Sequence, residues 1–270
     1  MGAAKKRRPE EAKRKSPRKY PWPLDGVGAF LDSFSPPTGD FDLNGSWEQT
    51  YAICFVDSNL SPGFLDIERT ATSRGASITL GVESVIAQKA GGTQQIKAKL
   101  QCASDALSTP QSWQFESSFL GPDEKPVSNL RIEKTATVKA GVIETRFGTR
   151  THTRKIALPF TSNWSLFDAV QRLPGKEMAP LQFTLLEDLD LVKENQRLSF
   201  LETTELKLAD KLLRLFHYEQ IGEGILPYHY YVDEQHRLLF AICGARAYLY
   251  DPTARQRQSD GKPRAGGRIR

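Results

Sequence analysis

Over most of the segment 45–251, apolar and polar residues alternate one by one along the chain. In QQIKAKLQC, which spans 94–102, Ile96 and Ala98 fall on one side of an extended strand, and Lys97 and Lys99 fall on the other. Because successive side chains of a β-strand point to opposite faces, this period predicts half-buried antiparallel strands. We therefore expect a mainly β protein with one long curved antiparallel sheet or a partial barrel.

The distribution of proline, glycine and charge divides the chain into three parts. Residues 1–44 are rich in proline and glycine and predict a disordered basic arm and linker. The segment 45–251 is predicted to be one antiparallel β domain, which is an ordinary size for an all-β fold. Residues 252–270 are predicted to be a disordered basic tail, because they show no apolar periodicity.

The net charge of +5 comes from the two ends of the chain. Residues 1–20 carry a charge of +7 and residues 251–270 carry +4, which leaves −6 for 21–250. Basic tails of this kind can contact a polyanion weakly, through 1–20 and 252–270, or serve only as solubilising extensions. No apolar run approaches the roughly 20 residues that span a bilayer, and no secretory signal follows the basic start, so we expect a cytoplasmic protein.

One helix is predicted within the β domain, at 163–173. Trp164, Phe167 and Val170 form an apolar stripe at helical spacing, Asn163 can cap the first turn, and Pro174 follows the last residue. A later strand, 238–243, is apolar at every position and should be central in the sheet with both faces covered.

The chain also contains an internal repeat. LDIERTAT at 65–72 returns as LRIEKTAT at 130–137, with six of eight positions identical. The similarity extends to a three-stranded meander of about 46–80 that is used again at about 112–145. We interpret the repeat as architectural, and predict that Ile67 and Ile132 are buried at equivalent positions, with Glu68 and Glu133 on the opposite face.

A basic strand is the sharpest candidate for a binding site. In ETRFGTRTHTRK, a period of two places Arg146, Arg150, His152 and Arg154 on one face. Guanidinium and imidazole groups in a row suit a carboxylate, a phosphate or a lipid headgroup. The alternative interpretation is a solvated face near a sheet edge, where charge discourages aggregation between strands.

Aromatic residues form the second candidate. Tyr228 and Tyr230 share one face of a strand, and Trp164 and Phe167 come from the predicted helix. These residues can line a cavity of roughly a few hundred Å³ or can belong to the core. In the first case Trp164 and Phe167 cover the cavity, and Arg150, His152 and Arg154 hold an acidic group at its mouth.

No complete catalytic or metal-binding motif is present, so we predict no catalytic residue, metal or cofactor. The sequence lacks a nucleophile elbow, a phosphate-binding loop and paired metal-ligand spacings. His217 and His229 can approach each other across neighbouring strands, but no carboxylate or cysteine has ligand spacing with them. The three cysteines leave at least one thiol free in a monomer, which is typical of a reducing compartment.

The order of strands and the final hairpin, from Tyr228 to Phe240 in YHYYVDEQHRLLF, resemble uncharacterised bacterial families related to the lipoprotein carriers of the Gram-negative envelope. The resemblance covers about 45–251. It implies an unclosed half-barrel sheet with a helix on it, whose concave apolar face holds acyl chains. The chain departs from those carriers in lacking an export signal, and the resemblance assigns no binding residue.

These observations favour a non-catalytic protein that binds an apolar or amphipathic ligand, such as a lipid, or a protein partner, in the concave face of the sheet. Two alternatives remain open. The first is an enzyme that acts on an anionic substrate at the basic strand. The second is an adaptor that contacts nucleic acid or an anionic membrane through its basic tails.

Overall fold

The computed structural model describes residues 19–56, 60–71, 77–88, 91–208 and 211–259. In these ranges fifteen strands form one sheet. They are β1 (Trp47–Phe55), β2 (Leu60–Ala71), β3 (Ser77–Ala87), β4 (Thr93–Ala103), β5 (Pro110–Leu120), β6 (Ile132–Lys139), β7 (Val142–Phe147), β8 (Arg150–Lys155), β9 (Phe160–Ser162), β10 (Leu181–Glu187), β11 (Leu191–Leu208), β12 (Lys211–Ile221), β13 (Tyr228–Asp233), β14 (Leu238–Cys243) and β15 (Arg246–Tyr250).

The order of strands in the sheet follows the order in the chain. Strands β1 to β8 extend in one direction, strands β15 to β9 extend in the other, and β1 pairs with β15. All neighbouring strands are antiparallel except β9 and β10, which are parallel. The order is therefore that of a meander barrel that stays open between β8 and β9, although only 156–159 separates these two strands in sequence. The prediction of a mainly β fold with an open, curved antiparallel sheet is confirmed.

The predicted helix is present but shorter than expected. An α-helix, α2 (Ser165–Ala169), continues as a 3-10 turn, Val170–Arg172. The hydroxyl of Ser162, rather than the side chain of Asn163, accepts the hydrogen bond from the backbone N–H of Ser165, at 3.0 Å.

Two cores lie on the two faces of the sheet. The face that packs against α2 is called the inner face, and the opposite one is called the outer face. The inner core joins residues from both halves of the sheet, for example Ile67 and Trp113 with Leu185 and Tyr218, so the sheet curls around α2. Strand β14 contributes to both cores, as its continuous apolar sequence predicts, and residues 238–242 are all buried.

The ends of the described chain differ from the expected arm and tail. A 3-10 turn, Leu24–Val27, and a short helix, α1 (Gly28–Leu31), bury their apolar side chains against the outer face. A third helix, α3 (Ala254–Ser259), packs against β1 and β2. The segments 24–31 and 254–259 are therefore helical, although these ends of the chain were predicted to be disordered. Their few, closely spaced apolar residues show no clear period, so the sequence did not indicate these helices. Residues 1–18 and 260–270 lie outside the described part of the chain.

The two copies of the repeat differ in burial. Ile67 is fully buried in β2 with Glu68 exposed on the outer face, whereas Ile132 at the start of β6 is 45% exposed. The prediction that both isoleucines are buried is wrong for Ile132. Ile67 and Ile132 both lie on the inner face, but α2 covers β2, while β6 lies near the open edge of the sheet.

Candidate functional site

The inner face holds a cavity of about 450 Å³ beside the start of α2. The cavity is lined by β3 and β4 from one half of the sheet, and by β10 and β12 to β15 from the other half. Its wall mixes apolar and polar side chains, which are Ser84, Ile86, Gln94, Ile96, Asn163, Trp164, Leu185, Glu187, Asp188, Gln220, Ile225, Leu226, Tyr228, Tyr230, Cys243, Arg246 and Tyr248. Such a wall suits a ligand that has both an apolar body and a polar group.

Tyrosine side chains supply the polar contacts deep in this cavity. The rings of Tyr228 and Tyr230 stack, with centroids 4.9 Å apart. The hydroxyl of Tyr230 donates to the side-chain oxygen of Gln220 at 3.0 Å, and the side chain of Tyr248 forms hydrogen bonds with Tyr228 and Arg246. Burial raises the pKa of Tyr228 and Tyr230 well above the usual value, so both hydroxyls stay neutral at physiological pH.

The single thiol on this wall has no sign of activation. Burial raises the pKa of Cys243 above its usual value, because the charged thiolate would lose solvation. A cysteine nucleophile needs the opposite shift. The tyrosines and Cys243 therefore offer neutral hydrogen-bonding groups, and the same wall also carries the side chains of Glu187, Asp188 and Arg246.

A second cavity, of about 540 Å³, adjoins the first and shares Gln94, Ile96 and Asp188 with it. It lies at the opening of the sheet, between β6 to β8 on one side and the turn from β10 to β11 on the other. Its apolar wall includes Phe115, Ile132, Ile143, Phe147, Leu186, Leu189 and Leu191, and its basic groups are Lys134, His152 and Arg154.

Two contacts cross the opening between the edges of the sheet. The guanidinium of Arg154 donates to the backbone oxygen of Asp190. The ammonium of Lys134 lies 3.3 Å from the carboxylate of Asp190 and 4.8 Å from the ring centroid of Phe115. Because the partner of Arg154 is a neutral carbonyl, the charge of this guanidinium is not balanced by a paired carboxylate.

The structure brings five of the seven predicted site residues to these cavities. Trp164, Tyr228 and Tyr230 line the deeper cavity, and His152 and Arg154 line the outer one. The other two are Phe167, which lies in the core against Tyr51 and Tyr248, and Arg150, which lines neither cavity. Their predicted roles as cover and headgroup contact do not fit these positions.

Residue Arg146 lies on the face opposite to the one predicted. The register pairs Phe147 with Arg150, so the chain reverses through the two-residue turn Gly148-Thr149. The reversal places Arg150, His152 and Arg154 on the inner face with Ile143, and leaves Arg146 on the outer face. The sequence-based assignment used one period of two across the whole segment and therefore missed this turn.

Four residues of the site were not predicted from the sequence as site residues: Lys134, Asp188, Arg246 and Tyr248. A signal existed for three of them. Arg246 and Tyr248 alternate on one face of the final strand. Lys134 had a signal in the repeat, where it occupies the position of Arg69. No pattern indicated Asp188, since a turn residue reaches the cavity only after the sheet has curled.

Buried polar contacts hold α2 in the curled sheet. The carboxylate of Asp168, which is fully buried, lies 2.8 Å from Nε of Arg69 in β2 and 2.9 Å from Nη2 of Arg172. The side-chain amides of Gln49 and Gln171 donate to each other at 2.9 and 3.0 Å. Because each buried charge has a partner, this arrangement fixes the helix, and with it Asn163 and Trp164, which precede the helix and line the deeper cavity.

In the described ranges of the chain, no group of three or more His, Cys, Asp and Glu side chains is placed to hold a metal ion. His217 and His229 do meet, with Nε2 and Nδ1 3.0 Å apart, on the outer face. None of the described helices has the length and apolar character needed to cross a membrane.

Comparisons with known proteins show a likeness in fold. No protein-family model matches the sequence, and the search of curated proteins finds no match. Among solved structures, the chain is similar to a beta-barrel-like protein of the domain of unknown function DUF1849 from Brucella abortus. The TM-score is 0.50 at 10% sequence identity, and the match covers 77% of this chain and 95% of the other. This likeness shows a barrel-like β fold and no more, while the resemblance to lipoprotein carriers stays a prediction.

Proposed function

We propose that the protein binds an amphipathic small molecule, such as a lipid with an acidic headgroup, inside the curled sheet without catalysing a reaction. The observation that carries this proposal is the pair of adjoining cavities on the inner face, of about 450 and 540 Å³, which open beside Lys134, His152 and Arg154. Each volume is within the range of small-molecule sites, and the two together suit an elongated ligand.

The charges at the opening indicate which end of the ligand lies there. An acidic headgroup would accept hydrogen bonds from Arg154 in place of the neutral carbonyl of Asp190, and a charged acceptor forms the stronger bond. Lys134 is adjacent, and its present partner, Asp190, is 64% exposed. When the headgroup replaces Asp190 as the partner of Lys134, the carboxylate of Asp190 therefore stays solvated. The apolar part of the ligand would then extend past Ile96 towards the tyrosines.

A displacement assay with a fluorescent fatty acid on the full-length protein tests the proposal. Two variants probe the site, one single and one double, and each has a matched control variant on the outer face. Ile96→Trp fills the junction of the cavities, and Gln95→Trp is its control. The double variant Lys134→Ala, Arg154→Ala removes the headgroup contacts, and Arg146→Ala, Lys155→Ala is its control.

We expect each site variant to weaken fatty-acid binding at least tenfold, or about 1.4 kcal/mol, and each control to leave it unchanged. Native mass spectrometry of the purified protein should show a bound lipid in the wild type and less of it in Ile96→Trp. Equal affinities for the site variants and their controls would contradict the proposal.

The alternative of polyanion contact through 1–20 and 252–270 finds little support in the described part of these segments. Lys19 contacts the carboxylate of Asp32. Arg255 lies 2.9 Å from Asp66 and 2.6 Å from Glu83, so its guanidinium is already paired with carboxylates of the β domain. The alternative therefore depends on the residues outside the described ranges. An enzyme at the basic strand would need an activated acid, base or nucleophile beside Arg154, and no such arrangement supports it among the described residues.

A further inference from the structure

Strand β8 is an unpaired edge in a sheet that otherwise has the order of a closed barrel. It pairs with β7 on one side only, within the described residues, and all six of its residues are exposed. The other edge strand, β9, has only three residues. A long open edge presents backbone N–H and C=O groups that can pair with another strand.

The register shows which backbone groups of β8 point away from β7. The N–H of Ile156 donates to the oxygen of Gly141 at 2.8 Å, at the position that continues the pairing of β8 with β7. In an antiparallel pair, every second residue makes such bonds. Residues Arg150, His152 and Arg154 therefore bond to β7, and Thr151, Thr153 and Lys155 direct their backbone groups to the open side.

We propose that β8 is a docking edge that accepts an extended, acidic segment of a partner protein as an additional strand. The basic residues of β8 favour an acidic partner. Arg150, His152 and Arg154 alternate on the inner face of this strand, and Lys155 lies on the outer face. Opposite charges across neighbouring strands stabilise the pair, and like charges destabilise it. A second copy of this chain would bring the same basic residues to the edge, so the charges disfavour pairing between two β8 strands.

Apolar surface on both sides of the opening supports a strand in this place. Phe147 beside β8 is 50% exposed, and Leu191 on the opposite side is 56% exposed. An added strand would satisfy the open backbone groups by main-chain hydrogen bonds, while its alternate side chains would meet the basic row. Strand docking differs from ligand binding in the cavities. Its main contacts are with the backbone of Thr151 and Thr153, whose side chains lie on the outer face.

A synthetic peptide of about nine residues with alternating glutamate and valine, blocked at both ends, is the probe for this edge. It should bind full-length protein, and the same peptide with a central proline or with lysine in place of glutamate should bind at least tenfold more weakly. Hydrogen exchange on the complex should be slower at the amides of Thr151, Thr153 and Lys155 than in free protein.

The variant Thr153→Pro removes one outward N–H without breaking a bond to β7, and edge strands tolerate proline at such positions. We expect it to weaken peptide binding at least tenfold and to leave fatty-acid displacement unchanged, whereas Thr153→Val, which keeps the N–H, should bind the peptide normally. Absence of peptide binding at millimolar concentration, or equal binding of the proline-containing peptide, would overturn the proposal. If Thr153→Pro does not fold, unchanged exchange at the three amides in wild-type protein would overturn it.

Discussion

Arg69 and Lys134 occupy the same position in the two copies of the repeat, and their surroundings predict very different effects on stability. The side chain of Arg69 is 3% exposed, lies 2.8 Å from the buried carboxylate of Asp168, and donates to the backbone oxygen of Asn44 at 2.6 Å. Lys134 instead contacts Asp190, a residue that is 64% exposed at the opening of the sheet. We therefore compare Arg69→Met with Lys134→Met, because both substitutions keep much of the aliphatic stem.

Removal of one partner from a buried ion pair costs about 3–5 kcal/mol when the other charge is left without compensation. Asp168 keeps Arg172 at 2.9 Å, so for Arg69→Met we expect the lower end, about 3 kcal/mol, which for a protein of this size corresponds to a decrease in Tm of roughly 6–12 °C. Lys134 is 11% exposed, but the carboxylate of Asp190 that its removal leaves behind is solvated, so this pair resembles an exposed one, which contributes about 0–1 kcal/mol. For Lys134→Met we expect a decrease of no more than about 4 °C.

Urea unfolding followed by tryptophan fluorescence measures the two changes in free energy, and thermal unfolding followed by the same signal measures the two shifts in Tm. The triple variant Arg69→Met, Asp168→Leu, Arg172→Met removes all three charges of this cluster, and it should be more stable than Arg69→Met alone if the weakened pairing of the buried carboxylate is the source of the loss. Equal costs for Arg69→Met and Lys134→Met would refute the reasoning, and so would a triple variant that is less stable than Arg69→Met.

Three further predictions concern burial and pH. Ile67→Ala should lower the free energy of unfolding by about 2–5 kcal/mol, whereas Ile132→Ala should change it by less than about 1 kcal/mol, as measured by chemical denaturation. Phe30→Ala should cost about 3–5 kcal/mol by the same assay, because this residue is buried against the outer face; no effect would mean that the segment around α1 does not belong to the folded body. Burial lowers the pKa of His217 to about 3, so the unfolded chain binds a proton near pH 6.5 that the folded chain does not. Stability should therefore fall as the pH decreases from about 6.5 towards 3, by up to about 1.4 kcal/mol per unit, and His217→Phe should reduce this slope; an unchanged slope would contradict the assignment.

Local patterns of the sequence predicted most of the fold. The alternation around Ile96 and Ala98 is a property of the extended backbone, and it predicted both the strands and the face to which each residue points. The apolar run at 238–243 predicted a central strand with two covered faces, which β14 is. The stripe of Trp164, Phe167 and Val170 predicted the helix, although its first turn is held by Ser162.

The candidate site was only partly predictable. Trp164, Tyr228 and Tyr230 were identified because aromatic residues on one face indicate either a core or a cavity. The distinction between the two depends on neighbours that are distant in sequence, and Phe167 proved to belong to the core. Asp188 and Arg246 come from different turns and strands, so their place in one cavity wall could not be inferred from spacing.

The sequence by itself determined the type of most elements and the face of most side chains, because both follow from backbone geometry over a few residues; the turn at Gly148-Thr149, which places Arg146 on the outer face, is an exception. Only the tertiary structure decided which faces are covered. The same motif is buried in β2, where α2 lies against it, and exposed in β6, near the opening of the sheet. The curvature of the sheet brings Lys134 to Asp190 and leaves β8 unpaired, because closing the sheet depends on the summed twist and packing of all fifteen strands.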